Sequence, residues 1–243
     1  MTSMRGKLAV VTGGTRGLGA AITTEFCRRG AHVLANHVSL SDGEIRRQVE
    51  DLPGSVSTVR ADIATPDGVE ALLAAVEGER VDYFVHNAAV FHPMSALSPD
   101  ADDFQRTMAV TLGPFLHGID RLAKLMPAGG RVVAISSNGA LATVPHYLAT
   151  GVAKAALESL MRYLAVELAP RGIAVNVVRT ALLDKGQDTG NPQLRDLLAA
   201  RTPGGHLTLP SDVAEAVALL CQPEAHWLQG QTVLVDGGLG LRG

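Results

Sequence analysis

Cysteine is almost absent from this chain: Cys27 and Cys221 are the only two in 243 residues, far apart and without metal-ligand spacing. A disulfide framework is thereby excluded, and two unpartnered thiols suit a reducing compartment. Eight histidines occur, none in HxH or HExxH spacing, so metal chemistry is not expected. No apolar run approaches the roughly 18 residues of a membrane span, and Met1 to Gly6 has no apolar signal-peptide core. These absences predict a cytoplasmic protein without a membrane partner. Lys and Arg together (21) do not exceed Asp and Glu (24), which leaves no basic footprint for nucleic acid. A small phosphate-bearing ligand needs only a local cluster. No Pro/Ser/Gly-rich linker, internal repeat or low-complexity tract divides the sequence, so one domain over residues 1–243 is expected.

What is present is a core-forming composition, 47% hydrophobic, arranged as short apolar runs. Strand-like runs fall at Leu8–Val11, Val33–Ala35, Val56–Val59, Val81–Val85, Val132–Ile135, Ile173–Val178 and Thr232–Val235. Helical periodicity lies between most of them, at Leu18–Arg29, Glu44–Leu52, Val69–Val76, Phe104–Met126, Tyr147–Ala169 and Val213–Leu220. Such alternation predicts a single doubly wound α/β domain of the Rossmann type, a seven-stranded parallel sheet with helices on both faces. Ligands of such sheets bind beyond the carboxyl ends of the strands, where strand order reverses. Ala88–Pro99 and the Gly- and Pro-containing Arg179–Pro210 break the alternation; residues 179–210, with one short helix near Gln193–Ala200, are the expected substrate loop.

Two stretches carry chemistry. Thr12-Gly13-Gly14-Thr15-Arg16-Gly17-Leu18-Gly19 joins the first strand to the first helix, with glycines where a backbone must turn tightly and approach a pyrophosphate at a helix N-terminus. The second, Arg131–Leu168, reads as a buried strand, a loop opening with Ser136 and Ser137, and a long helix carrying Tyr147 and Lys154. On one helix those two side chains share a face, separated by roughly 10 Å along the axis.

In its order of motifs the chain resembles the short-chain dehydrogenase/reductase family. Asp62-Ile63 looks like the family's adenine contact, His86-Asn87-Ala88-Ala89 like its Asn-Asn-Ala-Gly, and Gly230–Gly238 like its last strand and turn. The resemblance implies a nicotinamide dinucleotide held by Gly13, Thr15, Arg16, Gly17, Leu18, Gly19, His37, Asp62, Ile63, Asn87, Ala88, Ala89, Lys154 and Thr180. At the end of the second strand, Asn36-His37-Val38-Ser39 offers no carboxylate for a ribose 2′-hydroxyl, while Arg16 offers charge to a 2′-phosphate. NADPH is therefore expected in preference to NADH.

The catalytic pattern departs from the commonest family form. Thr150 stands where its tyrosine falls, four residues before Lys154 and thirteen after Ser137; Thr111 replaces an asparagine, and Thr180-Ala181 replaces Pro-Gly. The Tyr147-x6-Lys154 spacing instead resembles the enoyl-acyl carrier protein reductases, most closely type III, as do Asn87-Ala88-Ala89 and Thr202-Pro203. That resemblance implies Tyr147 as the acid, Lys154 on the nicotinamide ribose, and Ser137 on the substrate oxygen or tying its loop. In enoyl reduction the charge appears three bonds from the hydride target, which suits an acid displaced by about 5 Å of helix axis. An acyl thioester is then the expected substrate and an acyl carrier protein a candidate partner. Carbonyl reduction of a small metabolite and non-catalytic dinucleotide binding remain the alternatives. Leu157, Leu160, Leu164 and Leu168 suggest a helix face for a homodimer or homotetramer, and Tyr163 reads as core or interface.

Overall fold

The computed structural model describes residues 3–38, 43–76, 78, 80–186 and 192–241. Seven strands, β1 (Leu8–Thr12), β2 (His32–His37), β3 (Ser55–Arg60), β4 (Tyr83–His86), β5 (Arg131–Ser137), β6 (Ala174–Thr180) and β7 (Thr232–Val235), form one sheet. Their order is β3-β2-β1-β4-β5-β6-β7 and every pairing is parallel. Seven α-helices accompany them: α1 (Gly17–Arg28), α2 (Gly43–Val49), α3 (Pro66–Ala74), α4 (Ala101–Leu125), α5 (Leu148–Leu168), α6 (Pro192–Arg201) and α7 (Pro210–Leu220). The chain reverses its direction of travel across the sheet between β1 and β4, which opens a crevice at their carboxyl ends.

Period-two alternation divides the strand side chains between two cores. Val10, Leu34, Phe84, Val132 and Val177 pack with residues of α3, α4 and α5. Their neighbours Ala9, Val11, Val33, Val85, Val133 and Val178 pack with α1, α2 and α7 on the other face. Local signals set the helix starts: Thr65 caps α3 by accepting from the Gly68 N–H at 3.1 Å with Pro66 behind it, and Asp100 caps α4 through the Asp103 N–H at 2.9 Å. These caps lengthen α3 and α4 by three residues at the front beyond the apolar periodicity.

Two expectations need correction. Tyr147 is not a helical residue; it is the N-cap of α5, with φ −113° and ψ 17°. The leucines on α5 are not a spare surface either, because Leu157, Leu164 and Leu168 are buried and Leu160 packs against the same core. A long helix laid on a wide sheet buries more of its circumference than a narrow stripe. The exposed apolar residues of this face are Val152, Tyr163 (70% exposed) and Val166 on α5, with Leu116 on α4. Tyr163 is thus not core. Among the described residues no helix is long and apolar enough to cross a membrane, and both cysteines are buried, with burial pushing each thiol up to about 12.

Candidate active site

The glycine turn after β1 is shaped by backbone contact. Gly13 has φ +63°, and a Cβ there would lie 3.0 Å from the Ala88 Cα. At Gly19 a Cβ would come within 1.9 Å of the Gly13 carbonyl oxygen, so only glycine lets α1 start this close to the turn. Asn87 ties the turn from β4: its Nδ2 donates to the carbonyls of Thr12 at 3.1 Å and Gly13 at 3.2 Å. The N-cap of α1, Arg16, is extended and makes no side-chain cap bond. The first-turn amides therefore face the crevice without a side-chain acceptor, an arrangement that suits a pyrophosphate.

Behind the turn lies a buried hydrogen-bond chain. His86 Nε2 donates to the Thr111 carbonyl at 2.9 Å, leaving Nδ1 to accept from the Thr12 hydroxyl at 2.9 Å. Thr12 Oγ1 in turn accepts the N–H groups of Asn87 and Ala88 at 3.0 and 3.1 Å. One polar chain thus fixes β1, β4 and α4 together. Desolvation, helped by the nearby Lys154 charge, pushes the His86 imidazole down to about 3, so it is neutral at ordinary pH.

At the other end of the crevice stand the carboxyl ends of β5 and β6 and the head of α5. Lys154 is buried, its Nζ donating to the Ile135 carbonyl at 2.8 Å, and desolvation lowers its ammonium to about 8. Ser137 Oγ accepts the Gly139 N–H at 3.2 Å as cap of a short 3-10 turn (Asn138–Ala140), which leaves its own proton to donate. Ser136 donates to the buried Glu158 carboxylate at 2.6 Å, and Arg179 pairs with the same carboxylate. Tyr147 is held by neighbours rather than by helix geometry. His146, just before it, takes the left-handed φ +57°, which costs about 1 kcal/mol or more for a residue with a Cβ. The His146 carbonyl accepts the Met94 N–H at 3.1 Å, and the Phe91 ring lies 5.6 Å from that of Tyr147.

The glycine turn, Asn87, Ser136, Ser137, Tyr147 and Lys154 border one cleft of about 710 Å³. Every residue expected above to touch cofactor or substrate borders it, from Gly13 through His37, Ile63 and Ala89 to Thr180. Thr150 does not; it is 4% exposed and its hydroxyl has no hydrogen-bond partner. Asn36 and Asp62 are both engaged within the protein. Asn36 is buried and donates to the Ala61 carbonyl at 2.9 Å. Asp62 is forked by the Arg106 guanidinium, Nη2 to Oδ1 at 3.0 Å and Nη1 to Oδ2 at 2.9 Å. Burial pushes the Asp62 carboxyl up, but Arg106 and the Ala64 N–H together hold it below the ordinary value. Ser39 and residues 187–191 of the substrate loop lie outside the described residues.

Arg106, Val110, Leu183 and Lys185 also line the cleft wall, and His86 is buried behind it; sequence reasoning did not single these out as site residues. For Arg106 the signal was a cation on the helix facing the post-β3 acid, visible only once α4 is known to cross that loop. Among the described residues no group of three His, Cys, Asp or Glu side chains gathers as a metal site.

Comparison with known proteins decides the family. A family model described as Enoyl-(Acyl carrier protein) reductase matches residues 13–240. The chain belongs to the short-chain dehydrogenase/reductase family. Its relatives include 1-cyclohexenylcarbonyl-CoA reductase of Streptomyces collinus, 36% identical over 253 residues, covering 99% of this chain and 89% of that protein. Among solved structures, the promiscuous reductase LugOII, which catalyses keto-reduction at C1 in lugdunomycin biosynthesis, superposes with a TM-score of 0.91 at 31% identity, covering 99% of this chain and 100% of that one. Angucycline C-6 ketoreductase LanV with bound NADP gives 0.90 at 28% identity, covering 99% and 98% of the two chains. As a member of this family the protein is an NAD(P)H-dependent oxidoreductase, with enoyl and keto reductases both among its relatives.

Proposed function

We propose that the protein reduces an enoyl thioester with NADPH, with Tyr147, Lys154 and Ser137 as its catalytic residues. The observation that carries this reading is the exchange of positions at the head of α5: Thr150 is buried outside the cleft, whereas Tyr147 and Lys154 both border it. The similarity to a cyclohexenylcarbonyl-CoA reductase supports the same chemistry. The uncapped start of α1 and the glycine contacts at 13 and 19 suit a dinucleotide. When bound, its reduced nicotinamide would supply hydride to Cβ of the enoyl group, and the enolate so formed would take a proton at Cα to give the saturated thioester.

Tyr147 donates its phenolic hydrogen bond to the thioester oxygen as charge gathers there, and the Ser137 hydroxyl assists at the same oxygen. Lys154, presented from a buried position, serves the ribose hydroxyls and stabilises developing negative charge on the Tyr147 side of the cleft. His86, neutral and doubly hydrogen-bonded, takes no proton; it holds β1 and β4 in register beneath the cofactor. The same reading extends Gly13–Gly19, His37, Asp62-Ile63, Asn87-Ala88-Ala89 and Thr180 to the dinucleotide. NADPH is preferred because Asn36 offers no acid and Arg16 stands exposed at the cleft. Equal KM values for NADPH and NADH would remove Arg16 from that assignment. The protein works in the cytoplasm as a homodimer or homotetramer paired through the exposed stripe of Val152, Tyr163 and Val166; light scattering that returns a monomer would contradict it. Its acyl group arrives as a small thioester or on an acyl carrier protein.

The keto-reducing relatives favour a second reading, reduction of a small ketone from the same cleft. The two are separated by following NADPH oxidation with crotonyl thioester beside acetoacetyl thioester. Turnover of the crotonyl compound is expected, and activity confined to the ketone would replace the first reading with the second. Tight NADPH binding without turnover of either would leave a dinucleotide-binding protein.

A further inference from the structure

We infer that Gly139, together with Phe91, is a positioning element that seats the ring of Tyr147, an inference that rests on the reading of Tyr147 as hydrogen donor. Because Tyr147 precedes α5, helix geometry does not orient its side chain. The contacts around it do. A Cβ built on Gly139 would lie 2.6 Å from both Cδ1 and Cε1 of the Tyr147 ring, and 3.6 Å from Ser137 Oγ. The ring therefore rests directly on the bare backbone of the 3-10 turn that Ser137 caps.

That turn is itself pressed onto the helix. A Cβ on Gly151 would stand 2.8 Å from the Gly139 carbonyl oxygen and 3.8 Å from Tyr147 Cδ1, and the Gly151 N–H donates to the Tyr147 carbonyl at 2.8 Å. Two glycines on facing segments thus bring the Ser137 loop and the start of α5 into backbone contact with the ring between their reach. Phe91, 57% exposed, supplies the aromatic contact, tilted 36° to Tyr147. Its segment is anchored by the Met94 to His146 hydrogen bond. A methyl at position 139 cannot be absorbed by a flexible side-chain end, because what it meets is a ring. Either Tyr147 or the Ser137 turn must move, and both Tyr147 and Ser137 border the cleft.

The test has two readouts. In the full-length protein, Gly139→Ala is expected to lower kcat for the enoyl thioester about tenfold or more while the NADPH Kd stays within about twofold, since a shift of about 1 Å at a reacting group suffices for losses of that order. Added to Tyr147→Phe, Gly139→Ala should cost little further, because the ring it displaces then carries no hydroxyl to position. Independent full losses in the double variant, or wild-type kcat in Gly139→Ala, would overturn the inference. Phe91→Leu should lower kcat and Phe91→Tyr should retain it; equal kcat for both would also overturn it, and this pair serves if Gly139→Ala fails to fold. The second readout is independent of catalysis. The chain has three tyrosines, Tyr83, Tyr147 and Tyr163, so fluorotyrosine labelling gives three resonances assignable by substitution. Gly139→Ala or Phe91→Leu should move the Tyr147 resonance and leave that of exposed Tyr163 in place. An unmoved Tyr147 resonance would reject the seat whatever the activity, whereas an unchanged kcat in Tyr147→Phe would reject the donor reading and not the seat.

Discussion

The two ends of the cleft are built by different means. At the β1 end the surface is mainly backbone: Gly13 against Ala88, Gly19 against the Gly13 carbonyl, and an α1 N-cap whose first turn lacks a side-chain acceptor. At the α5 end it is side chains gathered from separate segments: Tyr147 from a cap position, Ser137 from β5 and Lys154 from within the helix, with Phe91, from the connection after β4, against the Tyr147 ring. On the proposed reading the first end constrains where a dinucleotide can lie and the second which reaction follows. Damage to the two should therefore look different, the first appearing in cofactor affinity and the second in turnover.

The largest effect is expected at the backbone end. Gly19→Ala forces a methyl to within 1.9 Å of a carbonyl oxygen, which no rotamer can relieve. To fit it the Gly13 carbonyl must shift out of the turn that borders the cleft, and about 3 kcal/mol of lost binding would raise the NADPH Kd about 10²-fold. Titration of NADPH fluorescence measures it, and a Kd within a few-fold of wild type would mean the turn is looser than described.

Lys154 links the two ends, and pH should expose it. Its ammonium is lowered from 10.5 to about 8 by burial, and the charged form is the one assigned to the ribose. The kcat/KM for NADPH should fall as pH rises through about 8, by about tenfold per unit well above it. Stability of the cofactor-free protein should run the other way. The unfolded chain holds the proton up to about 10.5, so stability attributable to this group grows between about pH 8 and 10.5. A flat kcat/KM profile from pH 7 to 9.5 would contradict the assignment.

A smaller, purely structural effect is expected at His86. Its folded value near about 3 lies below the ordinary 6.5, so protonation favours the unfolded chain. Stability present above about pH 6.5 is lost as pH falls toward about 3. His86→Asn should flatten that part of the Tm–pH curve and leave NADPH preference over NADH unchanged. An equally steep acid loss in the variant would place the acid-sensitive group elsewhere.

The same division explains what could be read from the sequence. The sheet was legible because each buried strand is a short apolar run, and the glycine turn because backbone approach demands glycine at fixed offsets. Strand ends such as His37 and Thr180 were missed because polar residues continue the ladder after the apolar run stops. The α5 end was legible only in part. Helical periodicity runs unbroken back to Tyr147, and nothing local signals that His146 turns left-handed, since that turn is held by a hydrogen bond from Met94, far away in sequence. The Asp62–Arg106 fork and the His86–Thr111 bond were hidden for the same reason: each joins a strand end to α4, and only the topology brings them together. The leucines of α5 misled because a helix on a broad sheet buries side chains that a narrow amphipathic stripe would leave outside.

The central claim is that the hydrogen donor has moved from the Thr150 position to Tyr147. The direct measurement is kcat of Tyr147→Phe at saturating NADPH and enoyl thioester, with NADPH Kd determined beside it. A fall in kcat on the order of 10²-fold or more with Kd unchanged is the predicted result; a kcat equal to wild type would contradict it.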